Sequence, residues 1–288
     1  DLMATAVFDI AVMLNISPDH LDRHGGMAGY LAAKKAIFRG QTESQTAIVG
    51  VDDDLGRTIY EDLKAGGDQK VIPVSGHRAI PGGVYVSDGV LCDATQSGDT
   101  VAITDISLIG SLPGNHNAQN AAAAYAAARA AGIAPATIAK GLKSFPGLAH
   151  RQELIDVVDG ISYVNDSKAT NVEAAARALV CYGDIYWIAG GRAKEGGYGG
   201  LANHLANVRQ AFLIGEAAND IAKVLEGHVA WTLSGNLHRA VEQAREAATE
   251  GSVVLLSPAC ASFDQFKNFE DRGDAFRAIV GTLREVGS

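Results

Sequence analysis

The richest chemistry in this chain lies in Ser257-Pro258-Ala259-Cys260-Ala261-Ser262-Phe263-Asp264-Gln265-Phe266-Lys267-Asn268-Phe269-Glu270-Asp271-Arg272-Gly273, directly after the apolar run Val253-Val254-Leu255-Leu256. Ligands of open α/β sheets sit at the carboxyl ends of strands, where small residues admit a ligand to the backbone and hydroxyls and N–H groups point at it. Two further segments share this layout. Asn165-Asp166-Ser167-Lys168-Ala169-Thr170-Asn171 follows the run from Ile161, and Gly190-Gly191-Arg192-Ala193-Lys194-Glu195-Gly196-Gly197 follows the run from Ile185. The glycine pairs resemble a nucleotide loop, but the GxGxxG spacing of a dinucleotide fingerprint is absent. Cys260 has no His–Asn or His–Asp partner in the pattern, so it reads as a packing residue and not a nucleophile.

Four other segments stand out. His20, in Asn15-Ile16-Ser17-Pro18-Asp19-His20, follows a strand end, where an imidazole can face a ligand. Lys34 and Lys35 lie on the next helical stretch, fourteen and fifteen residues further on. Asn117 and Asn120 are one helical step apart on a shared face, where Asn either caps the helix or meets a ligand. Arg151 follows His150 at the expected domain junction, where it either forms an interdomain ion pair or reaches a ligand across the cleft.

Strand and helix patterns alternate to place these residues. Strands are expected at the apolar stretch Val7–Ile16 and at Thr46–Val51, with helices at Met27–Phe38 and Leu55–Lys64. Short β-branched segments between Val71 and Leu112 predict a small antiparallel meander, followed by an Ala-rich helix from Asn117 to Ala131 and another from Pro135 to Ser144. Beyond Pro146–Ala149, strands at Glu153–Val158, Ile161–Asn165, Ile185–Ala189, Ala211–Ile214, Val229–Thr232 and Val253–Leu256 alternate with helices. The expected fold is α/β: residues 1–148 as the C-terminal part of a P-loop-type central ATPase domain, and 149–288 as a Rossmann-like domain with a mostly parallel sheet.

Composition narrows the class. With 288 residues, 47% apolar and 20% charged, the chain has enough material for two cores. A net charge of −9 without a Lys/Arg cluster argues against nucleic-acid binding. Three scattered cysteines fit a reducing compartment, and no apolar run reaches the roughly 18–20 residues of a membrane span. The N-terminus lacks a signal-peptide layout, and the chain is expected to begin inside a domain.

The wording of Ser257–Gly273 and Asn165–Asn171 resembles the Mur ligase family, and within it the D-glutamate-adding type. The resemblance implies a cytoplasmic, ATP- and Mg²⁺-dependent ligase of peptidoglycan synthesis, joining D-glutamate to UDP-N-acetylmuramoyl-L-alanine through an acyl phosphate. It assigns metal binding to His20 and to Lys34 as a carbamate, whose carboxylate-like oxygens suit a hard cation where an ammonium does not. It places Asn117, Asn120, Arg151 and Asp166 at the nucleotide, with His20, Lys34 and Arg151 in the catalytic set. It places Lys168, Thr170, Lys194, Ser262 and the backbone N–H of Phe269 at the incoming glutamate. Arg192 receives no role, because some relatives carry an acidic residue there. The phosphate loop GxxxxGK[ST] is absent, and the family carries its equivalent upstream of the region matched here, so the chain alone is expected to be inactive. Two alternatives remain: a folylpolyglutamate synthase-like ligase, and a non-catalytic nucleotide-binding module derived from such a ligase.

Overall fold

A computed structural model describes residues 6–16, 25–96, 99–193 and 196–284. The chain divides into two compact units after Phe145.

The first unit is built on six strands, β1 (Ile10–Met13), β2 (Thr46–Gly50), β3 (Lys70–Ser75), β4 (Val84–Ser87), β5 (Val90–Asp93) and β6 (Val101–Asp105), hydrogen-bonded in that order. β1 to β4 run parallel, while β5 and β6 are antiparallel to their neighbours. The expected meander is therefore only β4–β5–β6, and it continues the parallel sheet through β3. β2 is buried at every position, as a parallel strand covered on both faces should be. Its alternating side chains supply two cores. Ala47 and Val49 pack with Ile59 of α2 (Asp54–Gly66), and Ile48 packs with the alanines of α3 (Gly114–Ala130) and with Ile138 of α4 (Pro135–Lys143). Ala118, Ala121, Ala122 and Ala126 let α3 approach the sheet closely. The first helix, α1 (Met27–Lys35), buries no residue and passes into a 3₁₀ turn at Ala36–Phe38.

The second unit holds β7 (Glu153–Val158), β8 (Ile161–Asn165), β9 (Ile185–Gly190), β10 (Val208–Ile214), β11 (Ala230–Gly235) and β12 (Val253–Leu256), ordered β11-β10-β9-β12-β8-β7. All pairs are parallel except the edge hairpin β7–β8. One face packs α5 (Val172–Leu179) and α6 (Ala218–Leu225); the other packs α7 (Leu237–Ala247) and α8 (Phe269–Thr282). Because β8, β12 and β9 are adjacent and parallel, the loops leaving their carboxyl ends emerge side by side. These are the three segments that the sequence marks for chemistry. Trp187 of β9 ties two of them from below, its fully buried indole donating to the Ser257 carbonyl at 2.8 Å.

Candidate functional site

The second unit brings most of the expected residues together. Asn268 caps α8 by accepting from the Asp271 N–H at 2.7 Å, which makes Phe269 the first helical residue. Its N–H is thus one of those that a helix leaves without an intrahelical acceptor. The Lys168 ammonium stands 3.8 Å from the centroid of the Phe269 ring. Ser167 donates its hydroxyl to the Phe269 carbonyl at 2.7 Å, joining the β8 loop to the start of α8. Thr170 turns tightly beside Lys168, its N–H bonding the Lys168 carbonyl at 2.8 Å. Ser262 is 2% exposed on the neighbouring loop, and its carbonyl accepts from the Gln265 and Phe266 N–H groups.

Asp166 is also buried, 7% exposed, accepting from the Ser257 hydroxyl at 2.8 Å and from the Gln152 N–H at 3.2 Å. Burial pushes its carboxyl up to about 7, against the opposing pull of those two hydrogen bonds and of the Arg151 charge. The exposed Arg151 lies between His150 and Gln152, both left-handed with φ of 63° and 45°. Two such non-glycine residues, one on each side of Arg151, hold a costly conformation that the surrounding bonds must enforce. Those bonds include Lys168 N–H to the His150 carbonyl at 3.0 Å and Asn165 Nδ2 with His150 Nδ1 at 3.1 Å. Asn165 also donates to the Gly273 carbonyl at 3.1 Å, so His150 rests on a glycine. A Cβ at position 273 would stand 2.2 Å from His150 Nδ1.

In the first unit, Lys34 and Lys35 diverge. Lys35 pairs with Asp62 at 2.8 Å, while the exposed Lys34 lies over the Tyr30 ring at 5.4 Å, and among the described residues no carboxylate pairs with it. As a plain ammonium it would repel a divalent cation. Among the described residues, no group of three His, Cys, Asp or Glu side chains could hold a metal ion. His20 and Lys194 lie outside the described residues.

Asn117 and Asn120 do share a face of α3, with Asn120 Nδ2 donating to Asn117 Oδ1 at 3.2 Å. Neither caps the helix, which starts three residues earlier than expected with Pro113 as its N-cap; Asn117 Nδ2 donates to the Pro113 carbonyl at 2.8 Å. A cavity of about 290 Å³ lies beside a different face of the same helix, lined by Asn115 and Ala118 together with His77, Asp88 and Ser107.

Sequence reasoning passed over Ser167, Ser257, Asn165 and Arg272 as individual site residues. Their segments are marked, but nothing in their local spacing shows that Ser167 bonds to Asn165 and Arg272, or Ser257 to Asp166.

Comparison with known proteins follows the same division. Residues 1–128 match the Mur ligase middle domain, and 150–260 match the family described as Mur ligase, glutamate ligase domain. The chain is 51% identical to the UDP-N-acetylmuramoylalanine--D-glutamate ligase of Rhodospirillum rubrum, over 98% of this chain and 60% of that protein. It is 51% identical to the enzyme of the same name from Caulobacter vibrioides, over 100% of this chain and 61% of that protein. It thus spans about three-fifths of the length of these relatives. Among solved structures, a UDP-N-acetylmuramate-alanine ligase from Thermotoga maritima superposes with a TM-score of 0.66 at 16% identity, covering 96% of this chain and 60% of that one. A bifunctional folylpolyglutamate synthase/dihydrofolate synthase from Yersinia pestis, complexed with AMPPNP and Mn, gives 0.62 at 18% identity, covering 94% of this chain and 62% of that one. No helix among the described residues is long and apolar enough to cross a membrane.

Proposed function

Because the chain belongs to the Mur ligase family, we propose that it forms the nucleotide- and amino-acid-handling part of a ligase that adds D-glutamate to UDP-N-acetylmuramoyl-L-alanine. The reaction converts the alanyl carboxylate into an acyl phosphate with the γ-phosphate of ATP. The D-glutamate amine then displaces phosphate to form an amide. Both ATP and a nucleotide sugar are cytoplasmic metabolites, which places the reaction in the cytoplasm.

One observation carries this reading: Lys168, Ser262 and the leading N–H of α8 at Phe269 come from two strand ends that the sheet makes neighbours. An ammonium, a hydroxyl and a helix N-terminal amide form a donor set for the carboxylates of an amino acid. Thr170 and Lys194 complete the glutamate set. Arg151 and Asp166 serve the nucleotide with Asn117 and Asn120, Arg151 meeting phosphate charge with a planar cation. Mg²⁺, when bound, supplies charge neutralisation on phosphoryl oxygens, and His20 with carbamylated Lys34 are the residues to hold it. Orienting the amine toward the acyl phosphate is catalysis by proximity. The folylpolyglutamate synthase alternative shares the fold at 18% identity, whereas the relatives at 51% identity bear the D-glutamate name.

The test is steady-state kinetics of the full-length protein with Ser262→Ala. Charge-assisted hydrogen bonds contribute about 1.5–3 kcal/mol, so the KM for D-glutamate should rise about 10- to 100-fold while that for ATP barely changes. A raised ATP KM with unchanged D-glutamate KM would mean that the pocket serves the other substrate.

A further inference from the structure

Arg272 is 1% exposed, and among the described residues no carboxylate hydrogen-bonds its guanidinium, although the Asp264 carboxylate acts on it through space. A buried cation with no carboxylate in hydrogen-bond contact is costly unless its donors are satisfied in another way. Here oxygen atoms from two separate loops satisfy it. Nε donates to the Ser167 hydroxyl at 2.9 Å and Nη2 to the Ser167 carbonyl at 2.9 Å. Nη2 also reaches the Cys260 carbonyl at 3.1 Å, and Nη1 the Ala261 carbonyl at 3.5 Å. Burial pulls its pKa down to about 10, which still leaves it charged at neutral pH.

Two backbone features fit this arrangement. Ala259 is left-handed at φ 58°, a conformation that L-residues avoid, and it lies just before the Cys260 and Ala261 carbonyls that turn inward to the arginine. Gly191, at φ 133°, leaves room for the same turn: a Cβ there would stand 2.3 Å from the Ala261 carbonyl and 3.2 Å from Arg272 Nη1. Two of the three residues held by Arg272 adjoin an expected glutamate contact. Ser167 precedes Lys168 and donates to the Phe269 carbonyl, and Ala261 precedes Ser262.

We propose that Arg272 is a positioning residue for the amino-acid substrate. Its planar fork fixes the distance between the Lys168 loop and the Ser262–Phe269 loop, and so sets the spacing of the donors that hold the two carboxylates. The inference rests on the proposed glutamate pocket. Lysine preserves the charge but cannot span both loops with a rigid fork of donors.

The experiment compares Arg272→Lys, Ser167→Ala and Ser262→Ala in the full-length protein, measuring KM for D-glutamate, KM for ATP, kcat and thermal unfolding. Ser167→Ala removes one relay hydroxyl and leaves the arginine in place, which keeps the test open should Arg272→Lys fold poorly. Arg272→Lys and Ser167→Ala should each raise the D-glutamate KM about tenfold, as expected for loss of one charge-assisted contact, and leave the ATP KM within about twofold. If Ser262→Ala raises the D-glutamate KM and the other two do not, the positioning role is wrong and the pocket stands. If Ser262→Ala has no effect on it, the pocket reading itself fails. A lowered unfolding temperature with unchanged KM values, or equal rises for both substrates, would reduce Arg272 to a structural residue.

Discussion

The Lys168 ammonium sits 3.8 Å from the centroid of the Phe269 ring, so an aromatic face holds the cation proposed to meet the substrate. Such contacts contribute about 0.5–2 kcal/mol. Phe269→Leu retains the backbone N–H but removes the face, and should raise the D-glutamate KM roughly 2- to 30-fold. Phe269→Tyr should stay near the parent value. Equal losses in the two variants would show that the aromatic face is not what holds the cation.

Asp166 gives a signed pH dependence. With its carboxyl up at about 7 in the fold against an ordinary 3.8, the native state holds a proton that the unfolded chain releases once the pH passes 4. Stability therefore falls as pH rises between about 4 and 7, by at most about 1.4 kcal/mol per pH unit, and the penalty is constant above that window. Asp166→Asn lacks this dependence. Both tryptophans, Trp187 and Trp231, lie in the second unit, so urea unfolding followed by tryptophan fluorescence reports it. Relative to the parent, the Asn variant should gain on the order of 2–3 kcal/mol between pH 5 and pH 8. A difference independent of pH would refute the buried-proton account.

Gly273 is a steric requirement of His150. Gly273→Ala places a methyl group 2.2 Å from His150 Nδ1 and should cost about 1–3 kcal/mol, as overpacking does. The His150→Ala/Gly273→Ala double variant should be no less stable than His150→Ala alone, since the obstacle is gone. Strictly additive losses in the same fluorescence assay would place the strain elsewhere.

The adjacent lysines of α1 should separate cleanly. Lys35 is engaged with Asp62 at 2.8 Å and 34% side-chain exposure, a surface pair contributing about 0–1 kcal/mol, so Lys35→Ala should cost little stability and little activity. Lys34→Ala should lower turnover of the full-length protein severely, with partial recovery on adding a small carboxylate such as acetate. Mass spectrometry under bicarbonate should find the carbamate on Lys34. Equal kinetic effects at the two positions would remove the distinction.

The sequence by itself determined the local architecture of this protein. Val253–Leu256 and Ile161–Asn165 form strands over the expected bounds, because continuous apolar runs ending in small and polar residues encode buried parallel strands with functional loops. The expected meander does not extend to β3, which pairs parallel with β4, since a short β-branched segment has the same pattern whether its neighbour runs parallel or antiparallel. Only the tertiary structure decided that β12 lies between β8 and β9, and with it that Ser167 meets Arg272 across 105 residues of chain. Arg272 appears in the sequence as one more basic residue in the first turns of a helix. Its burial, and the carbonyls that satisfy it, arise from strand pairing between distant segments, for which no local periodicity carries a signal.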